Sequence, residues 1–371
     1  MPILTALKDL TDRRGSQGKR YELHHIVFCS ILAVLSGANT YRGIHIFIGE
    51  NITFLKEHVG VRWKRIPAYT TIRSVLLVVD KYELELVMRT HAMSYLKMLN
   101  ELRLHIAIDG KTIRGSFDNM KDKKAAHLLN VFVTQHNILI AQRNVRDEKT
   151  NEIPVAQEII NGLNIPSTIY TMDAMHCQEK TLQAAIKTRA DLIVQVKHNQ
   201  SELLGICRER ASIPKNYRTY TETNKGHGRI ERREVTVYEG LPSYRSGWFQ
   251  KFSQVIRVKK KRREFDTQEK EYVDTFETSY YLSSRRFKAK EALRIIKRHW
   301  HIENKQNNVL DNTFQEDKSR IRCKPEIMSL IRNISLNVLR MNGHKNISEV
   351  RLRNAYNVAN LLSLKYLWTE N

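Results

Sequence analysis

Three acidic residues far apart in the chain, Asp109, Asp173 and Glu303, have types and positions that could do chemistry together. Asp109 follows the apolar run 104–108 and precedes Gly110, and Asp173 follows the β-rich run 167–172, so each closes a predicted strand. In an open α/β sheet ligands gather at the carboxyl ends of strands, so acids placed there can converge on one point. Glu303 lies in Arg298-His-Trp-His-Ile-Glu303-Asn304, within a predicted helix over 289–308. A 3.6-residue period puts it in one stripe with Ala292, Ile296 and His299. That stripe should face the sheet, placing a carboxylate where packing demands an apolar group. Three carboxylates shielded from water raise one another's pKa, and each is expensive to bury alone. A divalent cation, Mg²⁺ or Mn²⁺, removes both penalties because hard ions take oxygen ligands. Two such ions held by three acids would activate a nucleophile and stabilise the leaving oxygen of an in-line displacement at a phosphodiester. Plainer roles remain open: a strand-ending Asp also makes turns and helix caps, and Glu303 could simply pair with Arg298 or Lys297.

The elements that must position these acids follow from periodicity. The first hundred residues read as helices: Ile26, Val27, Phe28, Ile31, Leu32, Val34 and Leu35 repeat at three and four, and a second apolar pattern runs over 82–99. Pro67 precedes a third helix start at Thr70. From residue 104 the pattern changes. A strand ends at Asp109-Gly110, and a hairpin follows over 130–135 and 137–142, split at His136-Asn137. Helices over 153–163 and 178–188 then alternate with strands over 167–172 and 192–196. Alternation after an antiparallel hairpin implies a mixed α/β sheet with flanking helices. Residues 214–283 carry short β-type runs, 234–238, 252–258 and 272–282, and read as a β-rich insertion; the remainder is mostly helical. The expected divisions are 1–100, 101–213, 214–285 and 286–371.

The chain has 371 residues, 41% hydrophobic and 27% charged, which suits a folded protein with a substantial core. Its charge is less ordinary: 62 Lys+Arg against 39 Asp+Glu give a formal +23. Such an excess attracts polyanions, nucleic acid before acidic membrane. Arg257, Lys259, Lys260, Lys261, Arg262 and Arg263 form a run with one interruption, readable as a solvated loop or strand end, or as a grip on duplex phosphates. Arg320 and Arg322, with Lys324, form a second cluster shortly after Glu303, where a substrate backbone would pass if Glu303 were catalytic; Lys111, Arg114 and Lys197 are expected as phosphate or DNA-end contacts near the site. Aromatics make up 8% and do not interleave with the bases along the chain, so stacking on single strands has little support.

Other signals point away from competing chemistries. Gly110-Lys111-Thr112 matches the end of a phosphate-binding loop, but His105 occupies the required upstream glycine position. His299-x-His301 on a helix directs its rings to different faces, which disfavours zinc. Cys29, Cys177, Cys207 and Cys323 are scattered, with no Cys-x-x-Cys pair, which suggests a reducing compartment. Asp9 and Asp12 interrupt any secretory apolar segment, and the run 26–38 is too short to cross a bilayer. A cytoplasmic, nucleoid-associated protein without a membrane anchor is expected.

The same residues carry a family likeness. Ile106-Ala-Ile-Asp109-Gly-Lys-Thr-Ile-Arg114-Gly-Ser116, Asp147-Glu-Lys-Thr-Asn-Glu-Ile153 and Thr171-Met-Asp173-Ala-Met-His-Cys-Gln178 resemble the H-repeat-associated insertion-sequence transposases of bacteria. The resemblance continues in order through Val196-Lys197-His-Asn-Gln200, Lys225-Gly-His-Gly-Arg229-Ile-Glu231, His299-Trp-His-Ile-Glu-Asn304 and Phe314-Gln-Glu-Asp317-Lys-Ser-Arg-Ile-Arg322. It also takes in Leu35-Ser-Gly-Ala38 and Ile66-Pro67, and so covers nearly the whole chain.

It implies a DDE-type transposase with a ribonuclease H-like core over 101–213 and 286–371. A helical associated domain would precede that core, and a β-rich insertion would fall before the third acid. The family's catalytic acids fall by motif on Asp109, Asp173 and Glu303. The implied chemistry is Mg²⁺-dependent hydrolysis at transposon ends, then attack of the freed 3′-hydroxyl on double-stranded target DNA, by a homo-oligomer assembled across two ends. Neither step needs a covalent intermediate, which fits the lack of a convincing Ser, Cys or Tyr nucleophile. Departures are Asn307-Asn308 where relatives usually carry His-Trp, His198 where they usually carry glycine, and His299 and Leu310 where related families often place arginine and lysine. A stand-alone nuclease of this fold, and a catalytically silent DNA-binding regulator, are the alternative readings.

Overall fold

The computed structural model describes residues 1–117, 124–145, 151–226, 228–242, 246–266, 268 and 270–368. Asp147 to Thr150 and His227, part of the stretches quoted above, lie outside them. Six helices come first: α1 (Ile3–Ala6), α2 (Leu23–Leu35), α3 (Tyr41–Glu50), α4 (Ile52–His58), α5 (Tyr69–Val78) and α6 (Lys81–Met98). Strands β1 (His105–Thr112), β2 (His127–Val133) and β3 (Ile138–Asn144) follow, then α7 (Glu152–Leu163), β4 (Ile169–Met172), α8 (Glu179–Lys187), β5 (Asp191–Val196) and α9 (Ser201–Ser212). Four long strands come next: β6 (Tyr217–Gly226), β7 (Arg229–Glu239), β8 (Gln254–Asp266) and β9 (Glu271–Ser283). The chain continues with α10 (Ala289–His299), a π-helical turn (Ile302–Asn307), α11 (Asn308–Asn312), α12 (Pro325–Met341) and α13 (Ile347–Tyr356).

Two compact units result. The first comprises Met1–Glu101, Gly110–Thr150 and Ile302–Asn371, and the second Leu102–Asp109 and Asn151–His301. In the first unit the run from Ile26 to Leu35 is wholly buried, and its one polar residue, Ser30, donates its hydroxyl to the Ile26 carbonyl (2.7 Å). Helix α12 packs against α2, α6 and β3. Its Asn337 serves as a polar clasp: Leu139 N–H donates to Asn337 Oδ1 (3.0 Å), and Asn337 Nδ2 donates to the Leu139 carbonyl (2.7 Å). Strands β2 and β3 form the expected hairpin, with a bulge between Val131 and Phe132 and with Asn137 at φ 57°, a left-handed turn position that asparagine tolerates. Gly115 allows a close crossing, since a Cβ there would lie 2.3 Å from the Ser319 carbonyl oxygen and 2.8 Å from that of Asp317.

The second unit holds a large mixed sheet. Strands β1, β4 and β5 run parallel, and β9, β8, β7 and β6 continue from β5 as an antiparallel ribbon. Helix α10 packs on β7, β6 and β4. Its Ala292, Leu293, Ile295 and Ile296 share one core with Val235, Val237, Ile256 and Val258. Each large aliphatic buried there contributes about 1.5–3 kcal/mol of transfer free energy.

Three sequence expectations are corrected here. Strand β1 does not stop at Asp109-Gly110 but runs on to Thr112, although its pairing with β4 ends at Ile108↔Met172. The helix expected over 289–308 ends at His299 and gives way to a π-helical turn, whose wider hydrogen-bond step changes the register of the side chains. The basic run 257–263 is the middle of β8, neither a loop nor a strand end. No helix among the described residues is long and apolar enough to cross a membrane.

Candidate active site

Asp109 and Asp173 each follow the last paired residues of adjacent parallel strands, Ile108 and Met172. Neighbouring strands lie about 4.8 Å apart, so the two carboxylates start side by side. Both residues are half-buried. Asp173 Oδ1 lies 3.5 Å from His299 Nε2, and His299 Nδ1 lies 3.1 Å from Thr171 Oγ1. The last residue of α10 is thus braced by β4 while it faces the acid that follows β4. The His299 hydrogen bond holds the Asp173 carboxyl below its usual range, outweighing burial and helped by the charges of His299, Lys197 and His176. Lys197, just past β5, is exposed. A small cavity beside Asp173 is walled by Thr171, Ile193, Gln195, Tyr281 and His299.

Glu303 belongs to the first unit and sits on the π-helical turn, exposed. The expectation that it shares the sheet-facing stripe is therefore wrong: Ala292 and Ile296 are buried, but α10 stops before Glu303 is reached. The turn is anchored instead by Gln306, fully buried and bonded to Asn333 and Arg340. Asn307, one of the departures from the family pattern, accepts a hydrogen bond from Asn130 Nδ2 (3.4 Å) through its side chain and from Lys111 Nζ (3.4 Å) through its carbonyl. In donor chemistry Asp109 and Asp173 suit a hard divalent ion. Among the described residues no group of three or more His, Cys, Asp or Glu side chains is gathered to hold one.

The basic residues divide sharply. Lys111, expected at a phosphate, is 6% exposed and clamped by Asp311 (2.7 Å) and Glu316 (2.8 Å), so its ammonium is turned inward. Arg114 is open to solvent, with Asp317 at 3.6 Å, and Arg320 and Arg322 are exposed. Within β8, Lys260 lies 3.9 Å from Glu277, Lys261 3.0 Å from Asp274 and Arg263 2.8 Å from Asp274; Arg262 pairs with Glu264, and Arg257 stacks over Tyr238. Sequence reasoning missed a second basic surface. Lys288, Lys290 and Arg294 line a cleft of about 510 Å³ beside α10, together with Lys297, which pairs with Glu222. The signal was present, because 290, 294 and 297 fall on one side of a helix whose opposite side is apolar.

Residues 4–92 match the DDE_Tnp_1-associated family and residues 100–338 match the Transposase DDE domain family. The chain belongs to the DDE transposase family, enzymes of the nuclease and transposase class that generally use divalent metal ions. Two relatives that carry transposase names are similar over almost their whole length. YncI of Escherichia coli O157:H7 is 31% identical over 351 residues, 91% of this chain and 87% of its own. The H repeat-associated YhhI of Escherichia coli strain K12 is 31% identical over 359 residues, 91% of this chain and 90% of its own. A solved piggyBac transposase synaptic complex with hairpin DNA aligns over 96% of this chain and 80% of its own at a TM-score of 0.38 and 10% identity, too low to carry the fold.

Proposed function

We propose that this transposase cuts double-stranded DNA at the ends of an insertion sequence and joins those ends to target DNA, with Asp109, Asp173 and Glu303 as its catalytic acids. The observation that carries the reading is the register of β1 against β4, which delivers two carboxylates to neighbouring positions at the ends of parallel pairing. The third acid rests on the motif His299-Trp-His-Ile-Glu303-Asn304. Two Mg²⁺ ions, or Mn²⁺, would supply the activated nucleophile and the stabilised leaving oxygen. The chain's own part is to hold and orient. Asp109 and Asp173 offer oxygens, His299 braced on Thr171 fixes the Asp173 carboxylate, and Lys197 presents a cation to the backbone phosphate entering beside Asp173. Arg114, Arg320 and Arg322 grip flanking phosphates, and Lys111 drops out of that set because it is buried and ion-paired. The protein acts as a homo-oligomer across two DNA ends, in the nucleoid.

The test is nicking of a duplex that carries the element's end, with Mg²⁺ present. Asp109→Asn and Asp173→Asn should each reduce cleavage to background while leaving DNA affinity within about twofold. Joining of a pre-cut end to a plasmid separates a transposase from a nuclease. A wild-type protein that binds the end tightly yet never nicks it with any divalent ion would show the silent regulator instead.

A further inference from the structure

The two faces of the ribbon β6–β9 differ in a way the linear sequence hides. On the face shared with α10, Arg218, Arg229, Arg233, Lys260 and Arg262 stand against Glu222, Glu231, Glu264, Asp266, Glu271 and Glu277, so the bases are outnumbered by acids. The opposite face is covered near its start by α9, whose Arg210 stacks over Tyr238. Beyond α9 it lies open. There the cross-strand register brings Lys225, Arg232, Lys259, Lys261 and Arg263 onto one surface with only Glu234 and Asp274. Among them stand three rings, all from the β8–β9 pair. Phe276 is opposite Lys261, whose Nζ lies 5.3 Å from the ring centre, and Phe265 is opposite Tyr272, edge to face at 5.4 Å. Phe276 is 74% exposed, Tyr272 65% and Phe265 47%. The aromatics that do not interleave with bases along the chain therefore do so across strands.

We infer that this open face binds an unpaired DNA strand, its cations tracking the phosphates and its rings stacking on the bases. A duplex would answer the cations but leave three rings in water, because its bases are already stacked; an unpaired strand answers both. A second copy of the chain is disfavoured, since two identical cationic faces repel. The inference rests on the DNA-transposing function proposed above and deepens it, since a cut or opened end exposes such a strand.

The experiment measures anisotropy of a fluorescein-labelled oligo-dT and of a labelled duplex, without divalent ions, against the full-length protein. Phe276→Ala and Tyr272→Ala should each weaken oligo-dT binding about tenfold and change duplex binding by less than twofold. Phe276→Trp should restore or strengthen it. Both side chains are exposed, so the thermal midpoint of each variant should match the wild type. Equal loss for both DNAs, or no loss for either, would overturn the proposal. So would a wild-type dimer in sedimentation that disappears in Phe276→Ala, because the face would then be a self-interface. Metal-free binding is read separately from cleavage: absence of nicking with oligo-dT binding intact would count against the catalytic reading alone.

Discussion

Glu316 has no exposed surface, and its oxygens meet Lys111 at 2.8 Å and Arg332 at 3.5 Å. Burial pushes its carboxyl upward, but the Lys111 charge and then the Arg332 charge more than offset this and leave it below the usual range. A carboxyl lowered in the folded state adds stability above its unfolded pKa, and that stability is lost as pH falls through the folded value. Glu316→Gln leaves buried Arg332 without a carboxylate and Lys111 with Asp311 alone, and is expected to lose about 3–5 kcal/mol in urea unfolding at neutral pH. The deficit should shrink in acid, where the wild-type carboxyl is protonated too. The same residues show what a sequence can reveal at this scale. His299 was legible, because its place in the stripe of Ala292 and Ile296 turns it toward the sheet. Lys111 was not: its position two residues after Asp109 suggested a phosphate contact, and only folding brings Asp311 and Glu316 against it.

Among the elements, the crossing at Gly115 leaves no room for a Cβ, and the obstacles are backbone carbonyls that cannot rotate away. Gly115→Ala should therefore cost about 1–3 kcal/mol in chemical denaturation. The clasp between α12 and β3 gives a sharper local readout. Asn337→Leu removes partners from both the N–H and the C=O of Leu139, each a buried polar group, for about 2–4 kcal/mol in total. Amide hydrogen exchange at Leu139 should speed up well before global unfolding. Most helices and the parallel strands were readable, since α2 and α6 repeat apolar residues at three and four while β4 and β5 are short apolar runs of the kind a buried strand requires. Glu303 was misplaced because periodicity assumes one hydrogen-bond step throughout, and the step changes after His299. Strand β6 escaped notice because it is largely exposed and lacks the apolar alternation that marks a half-buried strand.

For the whole molecule, the formal +23 announced a polyanion partner but not where it would touch. Cross-strand pairing separates the candidates, by neutralising one face of the ribbon and leaving the other cationic. Replacing Lys259, Lys261 and Arg263 together with Ala should flatten the slope of log affinity for oligo-dT against log salt by up to about 2, at roughly 0.7 for each phosphate of a single strand that is no longer neutralised. The change should fall short of that ceiling to the extent that Asp274 already occupies Lys261 and Arg263. An unchanged slope would remove these side chains from the DNA-binding surface. Not every positive side chain in the sum reaches solvent. Lys111, Arg210, Arg332 and Arg351 lie inside the fold, at 6%, 6%, 1% and 5% exposure, where carboxylates, carbonyls and rings answer them and counterions do not. Denaturation sets all four loose. The unfolded chain is then the stickier form toward heparin, so a heparin resin should release native protein first and retain misfolded material for a stronger eluent.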